Sequence, residues 1–299
     1  MRTDTSLGKN EVIDSPPQRK ELKRFLKVFL GRKIVIFFGL ILLAVIFTAI
    51  FAEQVAPYDP YAQNLGNALQ PPSAENLLGT DSLGRDVLSR VIFGARTSLI
   101  VGIISVSLAA SIGVVIGLIA GYFGGIIDSI ISRLIDAIIA FPAIILALAI
   151  GAVIGAGMWT VILALTIGLT PSYARVMRGQ VLTVKEQEYI KASEVIGANN
   201  IRIMFKHVFP NCISPIIVLI TLNLGVAILA EAALSFLGVG ITAPQAAWGA
   251  MVSEGQRYLV SNPNLSFAPG VCVLLIVLAF NMVGDGLRDA LDPRLRGSI

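Results

Sequence analysis

The chain is poor in the residues that build chemical sites. Among 299 residues there is one histidine, His207, and two cysteines, Cys212 and Cys272. A single His does not make a metal centre. Two cysteines at or inside apolar stretches offer neither a disulfide framework nor metal-type spacing. Charge is also scarce, with Asp, Glu, Lys and Arg at 14% against about 25% in soluble domains. An ordinary soluble domain is therefore excluded. No nucleophile stands beside a base in a catalytic pattern, so no enzyme is expected. What the chain has in abundance is apolar side chains, at 55% with a mean hydropathy of +0.80.

Six apolar windows stand out, at residues 34–51, 98–123, 137–155, 158–174, 213–237 and 267–284. Each is close to the ~20 residues that cross a bilayer as a helix. The expected fold is all-α, a polytopic membrane bundle of six transmembrane helices. A seventh apolar stretch, 126–135, carries Asp128 and Arg133 with Asp136 just beyond. It reads as the wet start of the third helix, with the three charges able to satisfy one another. The organisation expected is a basic N-terminal segment (1–33), a first span with its outer loop (34–97), a core (98–285) holding a polar loop at 175–211, and a tail (286–299).

Placing both termini inside puts nineteen of the 23 Lys and Arg residues on the inner side. Only Arg85, Arg90, Arg96 and Arg257 remain outside, a strong positive-inside bias. The pI near 9.2 then reflects topology and anionic lipid heads, with no nucleic acid implied. The first window follows 33 residues and has no A-x-A site before Glu53, so it reads as an uncleaved anchor. Residues 22–33 combine Leu22, Phe25, Leu26 and Phe29 with Lys20, Lys23, Arg24 and Lys27, the pattern of a basic amphipathic helix on the inner leaflet.

The outer loop 52–97 contains Val87, Leu88, Val91, Ile92 and Ala95 on one helical stripe, which predicts an interfacial helix there. The second outer loop, 238–266, carries Trp248 and is expected to be a structured segment dipping to the headgroups.

The polar island 175–211 is the most informative part. Glu188, Lys191, Ala192, Ser193 and Glu194 form a short charged helix. The i,i+3 pairs Lys185–Glu188, Glu188–Lys191 and Lys191–Glu194 are able to support it. Gly197 ends that helix in a left-handed turn, and Asn199 or Asn200 caps the next. Phe205 and His207 pack a second arm, and Pro210 stops it. The whole reads as a helical hook at a membrane surface, shaped for another protein to grip.

That spacing resembles the permease subunits of ATP-binding-cassette importers, whose signature is E-A-A, three residues, G, nine residues, I-x-L-P. Ala192, Gly197 and Pro210 match. Lys191 stands for the Glu, Ser193 for the second Ala, and His207 and Phe209 for the Ile and Leu. Three further runs are similar to the second, C-type permease of the dipeptide, oligopeptide and nickel importers. They are Gly79–Asp86, Ala233–Gly238 with Trp248–Met251, and Gly284–Pro293. Together they cover about residues 34–296 in the family's order, a specificity no single run has.

The resemblance implies a non-catalytic subunit in a bacterial or archaeal plasma membrane. It would pair with a homologous permease, be driven by two ATP-binding subunits that hold the hook at 188–210, and receive cargo from an extracytoplasmic substrate-binding protein. ATP and Mg would be bound by those partners, with no cofactor in this chain. Cargo in this branch includes di- and oligopeptides, glutathione and nickel chelates. Peptides are favoured because no His, Cys or paired-carboxylate cluster offers a nickel path. An ion-coupled carrier would show several paired acids in the membrane, whereas Glu231 is nearly alone.

Glu231, Asn223, Phe141 and Pro142 are the candidate pathway or gate residues. Glu231 is either a structural carboxylate or a substrate or gating group. Asn223 is either interhelical hydrogen-bond glue or a ligand. Pro142 is able to kink the third span for a gate or simply bend it. Gly113, Gly117 and Gly121 form a small face for close helix packing. Gly79 and Gly84 have phosphate-loop spacing but lack the Lys and the Ser or Thr, so nucleotide binding is rejected there.

Overall fold

The computed structural model describes residues 27–291. The predicted residues 22–26 of the amphipathic segment, and the tail beyond Leu291, lie outside that range. Among the described residues the architecture is helical, with one isolated bridge between Thr80 and Asp86.

Five helices are long and apolar enough to cross a membrane. They are α1 (Lys33–Ile50), α2 (Val87–Phe123), α5 (Met158–Lys185), α7 (Asn200–Phe236) and α9 (Asn264–Leu291). The pair α3 (Gly125–Ile139) and α4 (Ala143–Ile154), bent by 85°, is a sixth apolar candidate span when the two are counted as one. Two shorter helices bear on function, α6 (Glu188–Val195) in the hook and α8 (Trp248–Gly255) in the 237–263 loop. All six predicted windows are helical, and three boundaries change.

No separate interfacial helix exists at 87–97. The stripe there is the first three turns of α2, which starts at Asp86, whose side chain accepts a hydrogen bond from Ser89 N. An N-cap aspartate satisfies one of the orphan amides of the first turn. The stretch 126–135 is not the start of a continuous third helix, because α3 and α4 meet at an 85° bend. Pro142 has no N–H to continue α3 and disfavours helical geometry at Phe141. The hook's second arm does not stop at Pro210. It runs into α7 through a π-helical turn at Met204–Val208, with Phe209 N bonded to Met204 O. A widened turn accommodates a proline ring that an α-helical ladder rejects.

The core is the crossing of α2 and α5. A methyl at Gly113 would lie 2.6 Å from the Thr170 carbonyl oxygen, and one at Gly117 would lie 2.4 Å from that of Ala174. At Gly121 the obstruction is Val181. The small face predicted from sequence therefore lets the two helices approach at backbone contact. Gly113→Val is expected to lower stability by about 1–3 kcal/mol through overpacking. Thermal unfolding in detergent reads this directly, and an unchanged midpoint would contradict the close crossing.

Trp248 is buried, donating its indole N–H to Val91 O at 2.9 Å. It sits over Gly94, where any Cβ would collide with the indole. The predicted headgroup tryptophan is thus an internal wedge between α8 and α2.

Candidate coupling site and the buried polar network

The hook projects between α5 and α7. Its inner anchor is Ile190, fully buried, joined by Ile203, Met204 and Val208 from the second arm. Phe205 does not pack the arm as expected, since it is 55% exposed. His207 is half-buried.

Gly197 has φ +82° and open space around its Cβ position, so backbone conformation alone requires glycine there. Its N–H bonds to Glu194 O, and Ala198 N bonds to Ser193 O, closing the helix end. Asn199 is the residue that caps the second arm, accepting from Ile201 N at 3.1 Å. The predicted i,i+3 charge pairs do not form. Lys191 reaches back to Glu186 at 2.8 Å, and Lys185 donates to Tyr122 O at 2.7 Å. The hydrogen bond and the charge of Lys191 hold the Glu186 carboxyl below the usual carboxylate range. Ser193 Oγ donates to Tyr189 O at 2.8 Å, which leaves Ala192 as the smooth exposed spot of the first arm.

The tip of the hook is apolar. Val195 and Ile196 are 88% and 85% exposed, with Ile201 and Phe205 also outward. A rim of Glu188, Lys191, Glu194 and Arg202 surrounds them. Exposed apolar side chains grouped beside charged ones are of the kind found at protein or membrane contact sites.

The opposite end of the bundle is held by four charges. Arg85 and Arg90 are 2% and 1% exposed. Arg85 Nε contacts Asp81 Oδ2 at 2.6 Å, and its Nη2 contacts Glu254 Oε2 at 3.3 Å. Arg90 lies 3.4 Å from Asp81 and 3.8 Å from Glu254. Asp81 Oδ1 also accepts the amides of Leu83 and Arg85 at 2.9 Å. Gly84, at φ +70°, makes this turn, and a Cβ there would strike the Asn64 carbonyl. The glycines that mimic a phosphate loop thus build the turn of an ion-pair network that clamps the 52–86 loop onto α8.

Glu231 is 0% exposed. Ser98 Oγ donates to its Oε2 at 2.9 Å, and Ser235 Oγ donates to its Oε1 at 2.8 Å. Ser235 Oγ in turn accepts Ile241 N at 3.0 Å. The carboxylate thus ties α7 to α2 and, through Ser235, to the following loop. These contacts are those the structural reading of Glu231 calls for. Asn223 is buried on α7, and Phe141 and Pro142 are exposed at the elbow between α3 and α4. The structure does not bring these three and Glu231 into one site.

Sequence reasoning missed two sets of partners. Asp128 pairs with Arg178 at 2.5 Å, and Asp136 pairs with Arg175 at 2.7 Å. The expected mutual satisfaction of Asp128, Arg133 and Asp136 does not occur. The other set is Asp81, Arg85, Arg90 and Glu254. The charge of both arginines within a motif was visible, but the partner 169 residues away from Arg85 was not.

Residues 113–297 match the family described as "Binding-protein-dependent transport system inner membrane component". The chain belongs to this family. Residues 21–72 match the N-terminal TM domain of oligopeptide transport permease C. The permease is 42% identical over 292 residues to the glutathione transport system permease protein GsiD of Salmonella typhi, covering 96% of this chain and 95% of that protein. It is 43% identical over 283 residues to the di/tripeptide transport system permease protein DppC of Pseudomonas aeruginosa, covering 93% of each. Its fold matches a chain of the MetNI methionine ABC transporter, crystallised facing inward, with a TM-score of 0.57 at 21% identity. That match covers 69% of this chain and 97% of the other.

The chain is therefore a multi-pass inner-membrane permease subunit of an ABC importer, and the subunit is not itself catalytic. Membership implies ATP-hydrolysing, substrate-binding and permease partners. The resemblance read from the hook and the three flanking runs identified the correct family and branch.

Proposed function

We propose that this permease imports short peptides, with glutathione-like tripeptides inside that class. Two relatives above 40% identity over nearly the whole chain are named for glutathione and for di/tripeptides. Glutathione is itself a tripeptide, so one cargo chemistry covers both.

In this reading a homologous permease completes the pathway, and two ATP-binding subunits supply ATP and Mg. They hold the hook at 188–210, with Glu188, Lys191, Ala192, Ser193, Glu194, Gly197, Phe205, His207 and Pro210 as its elements. A substrate-binding protein delivers cargo at the opposite end, where the Arg85–Glu254 clamp gives it a fixed platform. Both termini lie in the cytoplasm of a bacterial or archaeal cell. Phe141 and Pro142 sit where a gate would bend, and Asn223 is the polar group nearest in kind to a pathway ligand. The observation that carries the coupling role is the exposed apolar tip at Val195 and Ile196 on a capped, anchored hook.

The test of cargo is ATP hydrolysis by the reconstituted complex with its own binding protein. Dipeptides, glutathione and a nickel chelate are titrated separately. Stimulation by the peptides and glutathione is expected. Stimulation by the nickel chelate alone would overturn the peptide assignment.

A further inference from the structure

The hook is rooted in α5, which ends at Lys185, two residues before α6 begins. A second helix is fastened to the same root. Arg178 on α5 donates from Nε and Nη2 to the two carboxylate oxygens of Asp128 on α3, at 2.5 and 2.6 Å. Ser132 Oγ donates to the same carboxylate at 3.2 Å. A bidentate guanidinium–carboxylate pair fixes angle as well as distance. Arg175 and Asp136 form a second tie at 2.7 Å, nearer the other end of α3. That second pair is mostly exposed and contributes little alone. Two ties at separate points nonetheless set the direction of α3 along α5.

The chain connections at the two ends of α3 do not fix it. At one end, Gly124 and Gly125 have φ +66° and +55°, and nothing lies within 4 Å of either Cβ position. At the other is the 85° elbow at 140–142 leading into α4. Besides its packing against α2 and α5, through the buried Ile135, α3 is tied to α5 by these two side-chain pairs. The end of α2 joins the same assembly. Tyr122 Oη contacts Asn200 Oδ1 at 3.2 Å, its carbonyl accepts from Lys185, and the Lys185 ammonium lies 5.5 Å from its ring centroid. The root of the hook at Lys185 and its second arm at Asn200 thus meet one residue, two positions before the Gly124 joint.

We propose that the Asp128–Arg178 bridge and the Tyr122 brace make α3, α5 and the hook one body, which delivers hook displacement to the elbow at 140–142. Asp128, Arg178 and Tyr122 are then positioning residues for coupling. The inference rests on the reading that ATP-binding subunits move the hook. Without the bridge, a pushed hook slides past α3 on its glycine joint, and α4 stays where it is.

The experiment uses the full reconstituted complex. Spin labels at Ser129 and Thr183 report α3 against α5, and labels at Ser129 and Ala149 report α3 against α4. Between nucleotide-free and ATP-bound states the first distance is expected to stay constant while the second changes. A change in the first with a constant second would overturn the proposal. Alongside, Arg178→Glu is expected to lower uptake per ATP hydrolysed roughly tenfold, within the usual range of coupling between sites. The exchange Asp128→Arg with Arg178→Glu is expected to restore it. A merely structural role lowers the amount of complex, so uptake and hydrolysis fall together and their ratio holds. An unchanged ratio in Arg178→Glu, beside a parent complex that couples normally, would refute the bridge's role. A parent complex with no coupled uptake would instead refute the reading of function.

Discussion

Replacing Gly197 with isoleucine abolishes coupled uptake while the protein still inserts and folds. The residue sits at φ +82°, with no atom near its Cβ position. The cost is therefore in the backbone and not in packing. A β-branched side chain in the left-handed region costs about 1–3 kcal/mol locally. The strain is relieved by a change of angle between the two arms at the exposed tip, beyond the buried Ile190 anchor. The core at the α2–α5 crossing does not involve this turn, so the melting midpoint of the variant stays near that of the parent. Uptake is expected to fall by more than tenfold, since the proposed docking of Val195 and Ile196 would require the angle that Gly197 sets. Parental uptake, with ATP-binding subunits still associated, would show that the turn does not shape a coupling surface.

The second large effect lies at the other end of the molecule. Arg85→Ala removes the main partner of Asp81, whose carboxylate is buried with it. Breaking one member of a buried ion pair costs about 3–5 kcal/mol, because the remaining charge is left uncompensated. Arg90 lies 3.4 Å from the same carboxylate and compensates only in part. The 52–86 loop then loses its clamp on α8, since Arg85 also contacts Glu254. Limited proteolysis of intact vesicles is expected to cut this loop in the variant and not in the parent. Thermal unfolding should fall by an amount matching that energy. Resistance to proteolysis equal to the parent's would mean that the four charges are not what holds the loop.

These two sites differ in how far the sequence exposes them. The hook is legible because its logic is local. A helix end needs glycine at 197, a cap follows at 199, and the separations from Ala192 to Pro210 are countable. The six apolar windows are legible for the same reason, since a bilayer sets their length. The clamp is only half legible. Arg85 and Asp81 stand four residues apart in one visible motif, but the turn that pairs them and the approach of Glu254 come from the fold. The 85° elbow is hidden because apolar residues run on through 137–155, and only Pro142 marks the break. The continuation of 87–97 into α2 is hidden by Arg90 and Arg96, which look solvent-facing in sequence. In the fold Arg90 is buried in the clamp, and Arg96 bonds the carbonyls of Ala49 and Ile50 at the end of α1. Glu231 was recognisable as an anomaly, but its partners Ser98 and Ser235 look like any small residue of a membrane helix.

The same contrast explains the charge pairs. Regular i,i+3 spacing in 185–194 offers pairs worth a few tenths of a kcal/mol on an exposed helix. Lys185 takes instead a contact that only the fold supplies, the Tyr122 carbonyl, and Lys191 turns to the exposed Glu186 carboxylate five residues back. Asp128 likewise ignores Arg133, one and a half turns along the same helix, for a bidentate arginine on α5. Local spacing ranks weak interactions, and tertiary geometry then replaces them with strong ones.

The central claim is that this permease meets its motor through the hook, and photo-crosslinking in the assembled complex tests it most directly. A photoreactive residue is placed at Ala192 on the hook and, separately, at Leu65 in the loop at the opposite end. The account predicts an adduct with an ATP-binding subunit from Ala192 and none from Leu65. An adduct from Leu65, or a silent Ala192 in a complex that transports, would contradict it.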